Sequence, residues 1–292
     1  MFFSVKLKQF IHSFILATVT ALLVVVIPGL SQTVQVTPTN PQLGDTISVV
    51  IQQPDTKVST PKVSMDGKTY PLFSIGQNRF RALLPTTPLD KSGLRQLQVT
   101  TDKGIQNLNV NLQNRSFPTQ SIWLPPDKES LNGTDLEFDR VAAFKQLVTP
   151  QKFWNGPFLR PNNGRVSTIY GVRRYYNGKF AENYYHRGVD YADYNGSPVV
   201  APAAGRISLV GLESQGFEIH GNSVGLDHGQ GVTSIFIHLS RIDVKEGEMV
   251  EAGQQIGTVG STGASTGPHL HWGLYVHGQA VDPVPWRYNG IE

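Results

Sequence analysis

The sequence predicts a mainly β protein made of two consecutive β domains, on three observations. Glycine and proline are abundant, with 29 and 19 residues among 292, whereas charged residues make up only 16%; this balance is typical of turn-rich β structure. Short stretches of alternating polar and apolar residues recur along the chain, and only one segment has the signals of a helix. The chain is also long enough for two domains.

Residues 1–31 have the form of an export segment. Lys6 and Lys8 precede an uncharged apolar run over residues 14–30, and small residues suited to cleavage stand just before Gln32. This pattern predicts a signal peptide, with an uncleaved membrane anchor through residues 14–30 as the alternative, although that run is short for a full span. Either form predicts an exported protein, in the periplasm, the cell envelope or the extracellular medium.

Residues 32–114 predict an immunoglobulin-like β-sandwich. The stretch over residues 46–52 places Ile47, Val49 and Ile51 on one face, as in a half-buried strand. Asp66-Gly67 stands between two short strand candidates and is a hairpin signal. Roughly seven short strands of this kind fit a small sandwich. This region holds no cluster of catalytic residue types, so we expect a spacer or docking module.

Residues 115–160 predict a connector that contains one helix. Five prolines interrupt it and disfavour continuous secondary structure. Thr134-Asp135-Leu136-Glu137 has the form of a capping box, in which a threonine caps the helix start and a glutamate follows three residues later. We therefore expect a helix that starts here and continues to about Leu147.

Residues 161–292 predict a compact antiparallel β-sheet domain, because strand candidates alternate with glycines and no long helical period appears. The stretch from His269 to Val276 is a strand candidate in which four apolar residues alternate with the histidines. We expect the apolar residues to face the core and both imidazoles to face the opposite side, with the loop over residues 261–268 at the rim of a groove.

Four residues in this domain have the composition of a metal site. His269 and His271, at positions i and i+2 of a strand, share a face. His186 and Asp190, at i and i+4, also share a face in a helix or a strand. Two histidines and one aspartate are enough protein ligands for a catalytic zinc ion with an open coordination position. The chain has no cysteine, which excludes thiolate ligands and disulfides.

The order of motifs in this region resembles the lysostaphin-type (LytM-type) zinc endopeptidases of peptidoglycan. The resemblance covers about residues 155–287. The segments that carry it follow one another in the family's order: His186-Arg187-Gly188-Val189-Asp190, His238-Leu239-Ser240 and Gly267-Pro268-His269-Leu270-His271. Each short motif is weak alone, and the ordered set is specific.

The resemblance implies a division of roles among five side chains. His186, Asp190 and His271 would bind one zinc ion per chain, and His238 and His269 would stand beside the metal-activated water without binding the metal. All five positions are present in this chain. The implied fold of residues 161–292 is that of a lysostaphin-type peptidase domain.

The expected function is therefore a zinc-dependent metalloendopeptidase that hydrolyses peptide bonds in peptidoglycan cross-links or stem peptides. We favour a D,D-endopeptidase acting on direct cross-links. Two alternatives stay open: a non-hydrolytic regulator of cell-wall hydrolases, and a latent enzyme whose N-terminal region covers the cleft. Without Lys6 and Lys8 the chain is nearly neutral, so nucleic acid is not an expected partner. The sequence does not predict an oligomeric state.

Several neighbouring residues have roles that the sequence leaves open. In relatives an aromatic residue often precedes the histidine of the His-Leu-Ser motif by two positions, and here it is a phenylalanine without a hydroxyl. A tyrosine that assists the oxyanion would then be Tyr170, Tyr184 or Tyr185. Arg173 and Arg174 either meet a substrate carboxylate or are solvated.

Three further histidines carry no catalytic motif. We expect His220 and His277 to be surface residues. His228 matches a position of the resembled family that has no catalytic role, so we expect it to make a structural hydrogen bond in a turn.

Overall fold

The structure is a computed structural model that describes residues 23–26, 33–53, 60–123, 132–288 and 290–291. These residues form β strands, one α-helix and two short 3₁₀ turns, so the prediction of a mainly β protein is confirmed. The predicted export segment lies outside the described residues, except for a strand over residues 23–26. In the described part of the chain, no helix is both long and apolar enough to cross a membrane.

The N-terminal region folds into two sheets. One sheet has the order β1-β2-β3-β7-β6 and the other β5-β4-β8-β9. The strands are β1 Leu23–Val26, β2 Thr33–Thr37, β3 Thr46–Gln52, β4 Lys62–Met65, β5 Lys68–Tyr70, β6 Phe73–Ser74, β7 Arg79–Pro85, β8 Gly93–Thr101 and β9 Gly104–Leu112.

These two sheets share one hydrophobic core, as a β-sandwich requires. Ile47 and Val49 of β3 pack in the same buried cluster as Val63 of β4 and Val99 of β8. The predicted Asp66-Gly67 hairpin joins β4 to β5, whose residues pair in antiparallel register. Both turn residues have positive φ, 49° and 83°, which matches the turn type that favours this dipeptide. The immunoglobulin-like topology stays a prediction.

The C-terminal region centres on a large sheet with the order β11-β14-β22-β18-β17-β16-β20, to which β23 adds beside β22. Two three-stranded sheets, β10-β12-β13 and β15-β21-β19, flank it. The strands are β10 Thr119–Ile122, β11 Arg165–Thr168, β12 Arg173–Tyr176, β13 Lys179–Phe180, β14 Val189–Ala192, β15 Pro198–Val200, β16 Gly205–Gly211, β17 Asn222–Gly229, β18 Val232–Leu239, β19 Arg241–Ile242, β20 Met249–Val250, β21 Gln255–Thr258, β22 His269–Val276 and β23 Gln279–Val281.

Strand β22 lies inside this sheet, between β14 and β18, and pairs antiparallel with both. Its four apolar residues, Leu270, Trp272, Leu274 and Val276, are each 0% exposed. Because successive side chains of a strand alternate in direction, the histidines of β22 project from the opposite face. The alternation predicted for this strand is therefore confirmed. Because the four apolar side chains are buried in the core, the histidine side chains must point to the other face of the sheet.

Trp272 is the largest of these core residues, and its removal provides a test of the packing. Its indole Nε1 also donates to Ser234 Oγ, 3.2 Å away. We expect Trp272→Ala to lower the free energy of unfolding by about 3–5 kcal/mol, since it opens a large cavity and removes one buried hydrogen bond to Ser234 Oγ. Trp123 is 72% exposed, so Trp123→Ala is the matched control and should change stability by less than about 0.5 kcal/mol. Equal losses in chemical denaturation would contradict this packing.

The single described helix, α1 Asp135–Lys145, starts at the predicted capping residue: Thr134 Oγ1 accepts a hydrogen bond from Glu137 N at 3.1 Å. The helix packs over β17, where a Cβ on Gly225 would stand 2.7 Å from the ring of Phe144. Gly225 is opposite Ile235 in β18, which in turn is opposite Gly273 in β22. Directly opposed residues project from the same face of a sheet, so α1 lies on the face from which the histidines of β22 project.

The two regions also contact each other directly. Leu83 of β7 is buried in the core of the C-terminal region. The fully buried Arg81 donates to the side chain of Gln230. Trp286, in the 3₁₀ turn Pro285–Arg287, donates to Thr46 Oγ1 at 3.2 Å. The N-terminal sandwich is thus packed against the C-terminal sheet.

Candidate metal centre

Three side chains converge on one point on the histidine face of the sheet. His186 Nε2 lies 3.0 Å from Asp190 Oδ1 and 3.0 Å from His271 Nδ1, and His271 Nδ1 lies 2.9 Å from Asp190 Oδ1. His186 and Asp190 are 1% and 6% exposed. Among the described residues, these three form the group of histidine and acidic side chains that could hold a metal ion.

The strand register explains how residues about eighty positions apart meet. Asp190 in β14 is directly opposite His271 in β22, and opposed side chains share a face of the sheet. His186 precedes β14, and its ring is fixed by a contact of 2.8 Å between Nδ1 and the carbonyl oxygen of Ile169. The backbone pairing of two strands thus positions two of the candidate ligands, and a loop carbonyl orients the third.

Gly188, between His186 and Asp190, allows its own backbone to lie against the backbone of β22. A Cβ at this position would stand 2.2 Å from the backbone oxygen of Trp272 and 2.8 Å from His271 Nε2. We expect Gly188→Ala to displace β22 or the His271 ring, and to weaken zinc binding by about 10- to 100-fold, the usual effect of disturbing a ligand's support.

The matched control for this substitution is Gly267→Ala, because a Cβ on Gly267, beside the same groove, meets nothing within 4 Å. Calorimetric titration of zinc into both variants compares them. Equal zinc affinity of the two variants would contradict the role given to Gly188.

The donor set fits a metal cation. The carbonyl of Ile169 can only accept a hydrogen bond, so His186 carries its proton on Nδ1 and presents the Nε2 lone pair to Asp190 and His271. Lone pairs that face one another at 3.0 Å repel, unless a cation or a shared proton lies between them. Two imidazole nitrogens and a carboxylate, with a backbone carbonyl behind one ring, form a ligand set typical of catalytic zinc sites.

The charges of the centre agree with this fit. Burial alone would raise the pKa of the Asp190 carboxyl, but the contacts with His186 and His271 lower it well below 3.8, so the group is an anion at neutral pH. Burial lowers the pKa of His271 to about 4, against the opposing effect of Asp190. A neutral imidazole beside an ionised carboxylate is the protonation state in which both bind metals.

His238 and His269 stand beside this cluster, with ring centroids 4.9 Å apart. His238 Nδ1 lies 2.8 Å from the carbonyl oxygen of Thr262, and His269 Nδ1 lies 2.8 Å from that of Gly267. Both rings therefore hold a proton on Nδ1 and leave the Nε2 lone pair free. His269 Nε2 is 4.0 Å from Asp190 Oδ1, so this free nitrogen lies next to the three candidate ligands without being one of them, and the His238 ring lies beside it.

His238 is uncharged and has a strained backbone conformation. Burial, followed by the neighbouring His269 and His271, lowers its pKa well below 6.5, so the ring is neutral and can accept a proton. Its backbone φ is 66°, a left-handed conformation that costs about 1–3 kcal/mol in a residue other than glycine. The bond from His238 N to His220 O, 3.0 Å long, helps hold this conformation.

These side chains line a groove of about 780 Å³. Its floor is formed by β18 and β22, and the predicted rim loop contributes residues 264 and 266–268. One wall is α1 with the segment at residues 219–220, and the other comprises β10, β12 and residues 184, 186 and 187. The predicted connector therefore contributes to both walls, through α1 and β10.

The structure distinguishes the residues whose roles the sequence left open. Tyr170 and Tyr185 both donate to the carbonyl of Ala280, at 2.7 and 3.1 Å, and are buried away from the groove. Tyr184 lines the groove. Arg174 also lines it, with Nη2 3.6 Å from Asp190 Oδ2, so this arginine is not a solvated side chain.

Arg173 lies outside the residues that line this groove, and its guanidinium stands 5.3 Å from the ring centroid of Phe180. Of the two arginines whose roles stayed open, Arg174 alone therefore faces the candidate metal centre.

Glu137 and His220 form a buried pair beside the groove that the sequence did not predict. We expected a surface residue, but the His220 side chain is only 16% exposed, and its Nδ1 lies 2.5 Å from Glu137 Oε1. Glu137 is 0% exposed and accepts further hydrogen bonds from the backbone N–H groups of Ile219 and His220, at 3.1 and 2.6 Å. The sequence pointed to Glu137 only through the capping box, which predicts a local role for this residue at the start of the helix.

The other two histidines also lie in ordered surroundings. His228 is fully buried in β17, with Nδ1 3.0 Å from the carbonyl oxygen of Ala204 and Nε2 2.8 Å from Ser234 Oγ. The expected structural hydrogen bond agrees with these contacts, but the expected position in a turn is wrong, because His228 lies in a strand. His277, expected at the surface, is partly buried at the turn after β22 and contacts the ring of Tyr70, with centroids 6.3 Å apart.

The fold and this cluster define a β-sheet protein with a candidate mononuclear metal centre. Residues 184–283 match the model of peptidase family M23. DD-carboxypeptidase/endopeptidase Mpg of Neisseria meningitidis is 46% identical over 99 residues, 34% of this chain and 22% of that protein. Peptidoglycan DD-endopeptidase ShyA of Vibrio cholerae is 39% identical over 99 residues, with the same two shares. The match thus spans about a fifth of the length of these curated relatives.

A solved structure extends the similarity beyond this domain. The crystal structure of a peptidase M23 protein from Pseudomonas aeruginosa matches with a TM-score of 0.62 and 28% identity, and the match covers 86% of this chain and 96% of that one. Residues 184–283 of this chain are therefore a peptidase M23 domain.

Proposed function

We propose that this protein is a zinc-dependent endopeptidase of peptidoglycan. The observation that carries the proposal is the convergence of His186, Asp190 and His271 beside two histidines with free Nε2 atoms. Three protein ligands leave a coordination position for water, as in catalytic zinc sites. The family match and the names of the relatives support peptidoglycan as the substrate.

His186, Asp190 and His271 would hold one zinc ion per chain, which supplies Lewis-acid chemistry by acidifying water and polarising a carbonyl group. His238 Nε2 is placed to accept the proton of the attacking water and to return it to the leaving amine. His269 Nε2, beside it, is placed to orient the water by accepting a hydrogen bond from it, and would stabilise the developing oxyanion only in a form that carries a proton on Nε2. The backbone carbonyl partners of both rings fix the tautomer that accepts a proton or a hydrogen bond from water.

We further propose that the cleaved bond is a D,D bond in direct cross-links, which the names of the two relatives support. The regulator alternative is not favoured, because such a protein would not need a complete ligand set. Gln120 and Ile122 of β10 line the groove, an observation that keeps the latent-enzyme hypothesis open. If the connector covers the groove, digestion should begin with a lag that limited proteolysis removes.

We also propose that the protein is exported, as its substrate requires, with residues 1–31 as a signal peptide or as an anchor through residues 14–30. The chain outside this segment carries nearly equal numbers of basic and acidic residues.

Zinc dependence is testable by removing and restoring the metal. The full chain, treated with a chelator, should lose the ability to solubilise purified peptidoglycan, and one equivalent of zinc per chain should restore it. Metal analysis by mass spectrometry gives the stoichiometry. Full activity after complete removal of metal would contradict the proposal.

A further inference from the structure

Helix α1 is placed along the groove in a way that no catalytic role explains. Its residue Phe144 packs on Gly225, which lies in the same cross-strand row as Ile235 and Gly273. The next groove-facing residue of β22 is His271, a candidate metal ligand, opposite Ile237. The helix therefore forms the wall beside the metal centre, and its ends extend along the groove in both directions.

At the N-terminal end of this wall, α1 orients His220. The buried Glu137 carboxylate accepts from His220 Nδ1 and from two backbone N–H groups, so the carboxylate is fully paired and the ring is fixed. In the described part of the chain, His220 Nε2 has no hydrogen-bond partner, and the residue lines the groove. In its protonated form, His220 would donate from Nδ1 to Glu137 and from Nε2 to a group in the groove.

At the C-terminal end of this wall, α1 presents Lys145. Its Nζ stands 4.7 Å from the ring centroid of Tyr275, another groove residue of β22. Glu137 and Lys145 are eight residues apart, about 12 Å along a helix. An extended peptide covers that distance in about three to four residues. Along β18 and β22, the pair Ile237–His271 lies between two other positions. On one side is His238, which contacts His220. On the other side is Tyr275, which contacts Lys145.

The groove as a whole has a cationic lining. Lys145, Arg174 and Arg187 line it, and Asp190, which faces the metal position, is the acidic residue among the described lining residues. A groove lined by one sign of charge attracts ligands of the opposite sign. The lining thus favours a peptide that carries carboxylate groups over a neutral one.

We propose that α1 is a substrate-binding wall, on which His220 and Lys145 bind carboxylate groups of the peptide on either side of the scissile bond. The inference rests on the proposed function and deepens it, because it restricts the substrate to peptides with free carboxylates flanking the bond. His220 and Lys145 determine specificity through binding, and they take no part in the chemical step.

The test compares two forms of one substrate: a cross-linked muropeptide dimer, and the same dimer with its free carboxylates converted to methylamides. The zinc-loaded full chain should have a kcat/KM at least tenfold higher on the unmodified dimer. Lys145→Met keeps the apolar stem over Tyr275, and His220→Asn keeps a donor near Glu137. Each should reduce this preference about three- to tenfold through KM, with kcat unchanged.

Lys245→Met is the matched control, because Lys245 is exposed near β20 and does not line the groove; it should keep the wild-type preference. A merely structural role for His220 or Lys145 would lower the rates on both substrate forms equally. Equal cleavage of both forms by the wild type, or an unchanged preference in both groove variants, would overturn the proposal.

A binding measurement separates this inference from the proposed function. If neither dimer is cleaved, calorimetric titration of both dimers into the zinc-loaded full chain decides between the two. Tighter binding of the unmodified dimer, lost in Lys145→Met, would support the carboxylate-binding wall although the proposed hydrolysis had failed. Equal affinity for the two dimers, or no binding of either, would overturn the wall as well.

Discussion

Replacing His271 with alanine is expected to remove both the metal and the hydrolysis of peptidoglycan. His271 Nδ1 lies within 3.0 Å of the metal-facing atoms of both His186 and Asp190, so its loss leaves two protein ligands. Structural zinc sites in zinc-finger peptides bind zinc with about 10–16 kcal/mol of free energy, which we take as the scale here. If the ligands contribute comparably, losing one costs several kcal/mol, or about 10³-fold in affinity.

The measurement is zinc stoichiometry together with the release of soluble muropeptides. His277→Ala is a suitable control, since His277 lies at the turn after the same strand, outside the groove lining, and should keep one zinc ion per chain. Full stoichiometry and an undiminished rate in His271→Ala would show that the metal binds elsewhere.

Replacing His238 with alanine should have the opposite pattern, with the metal retained and turnover lost. Its Nδ1 is held by the carbonyl of Thr262, and His238 is not among the three candidate metal ligands. General acid–base groups typically contribute about 10²- to 10⁴-fold to a rate. We expect a loss of this size in kcat, with zinc affinity close to that of the unaltered chain.

Because His238 and His269 act on the same water and carbonyl, their effects should not add. The double variant should lose little more than the worse single variant, as is usual for residues that act as a unit. Loss of zinc from His238→Ala would mean that this residue is a metal ligand. A rate within about threefold of wild type would mean that another group accepts the proton.

The features that the sequence predicted correctly depend on local patterns. The alternation in β22, the Asp66-Gly67 turn and the Thr134 cap each follow from the properties of neighbouring residues. The candidate metal centre could also be predicted from the sequence, because His186 and Asp190 share one motif and His271 lies in another. Two adjacent strands then bring the motifs together.

What the sequence could not predict depends on contacts between distant segments. Glu137 was expected only as part of a capping box, yet its carboxylate reaches a segment more than eighty residues away, where three donors converge on it. Likewise, nothing local indicates that α1 packs on Gly225. The burial of Leu83 in the C-terminal core is a tertiary contact of the same kind. The residues predicted as a connector are therefore part of the candidate site.

The most direct test of the central claim is a digest of cross-linked muropeptide dimers in ¹⁸O-water by the zinc-loaded full chain, followed by mass spectrometry. We expect monomeric stem peptides with one ¹⁸O atom in the new carboxyl group, located at the D,D cross-link, and none after chelation or in His269→Ala. Intact dimers in the presence of bound zinc, or the same products from chelated protein, would contradict the assignment of this centre as a zinc peptidase.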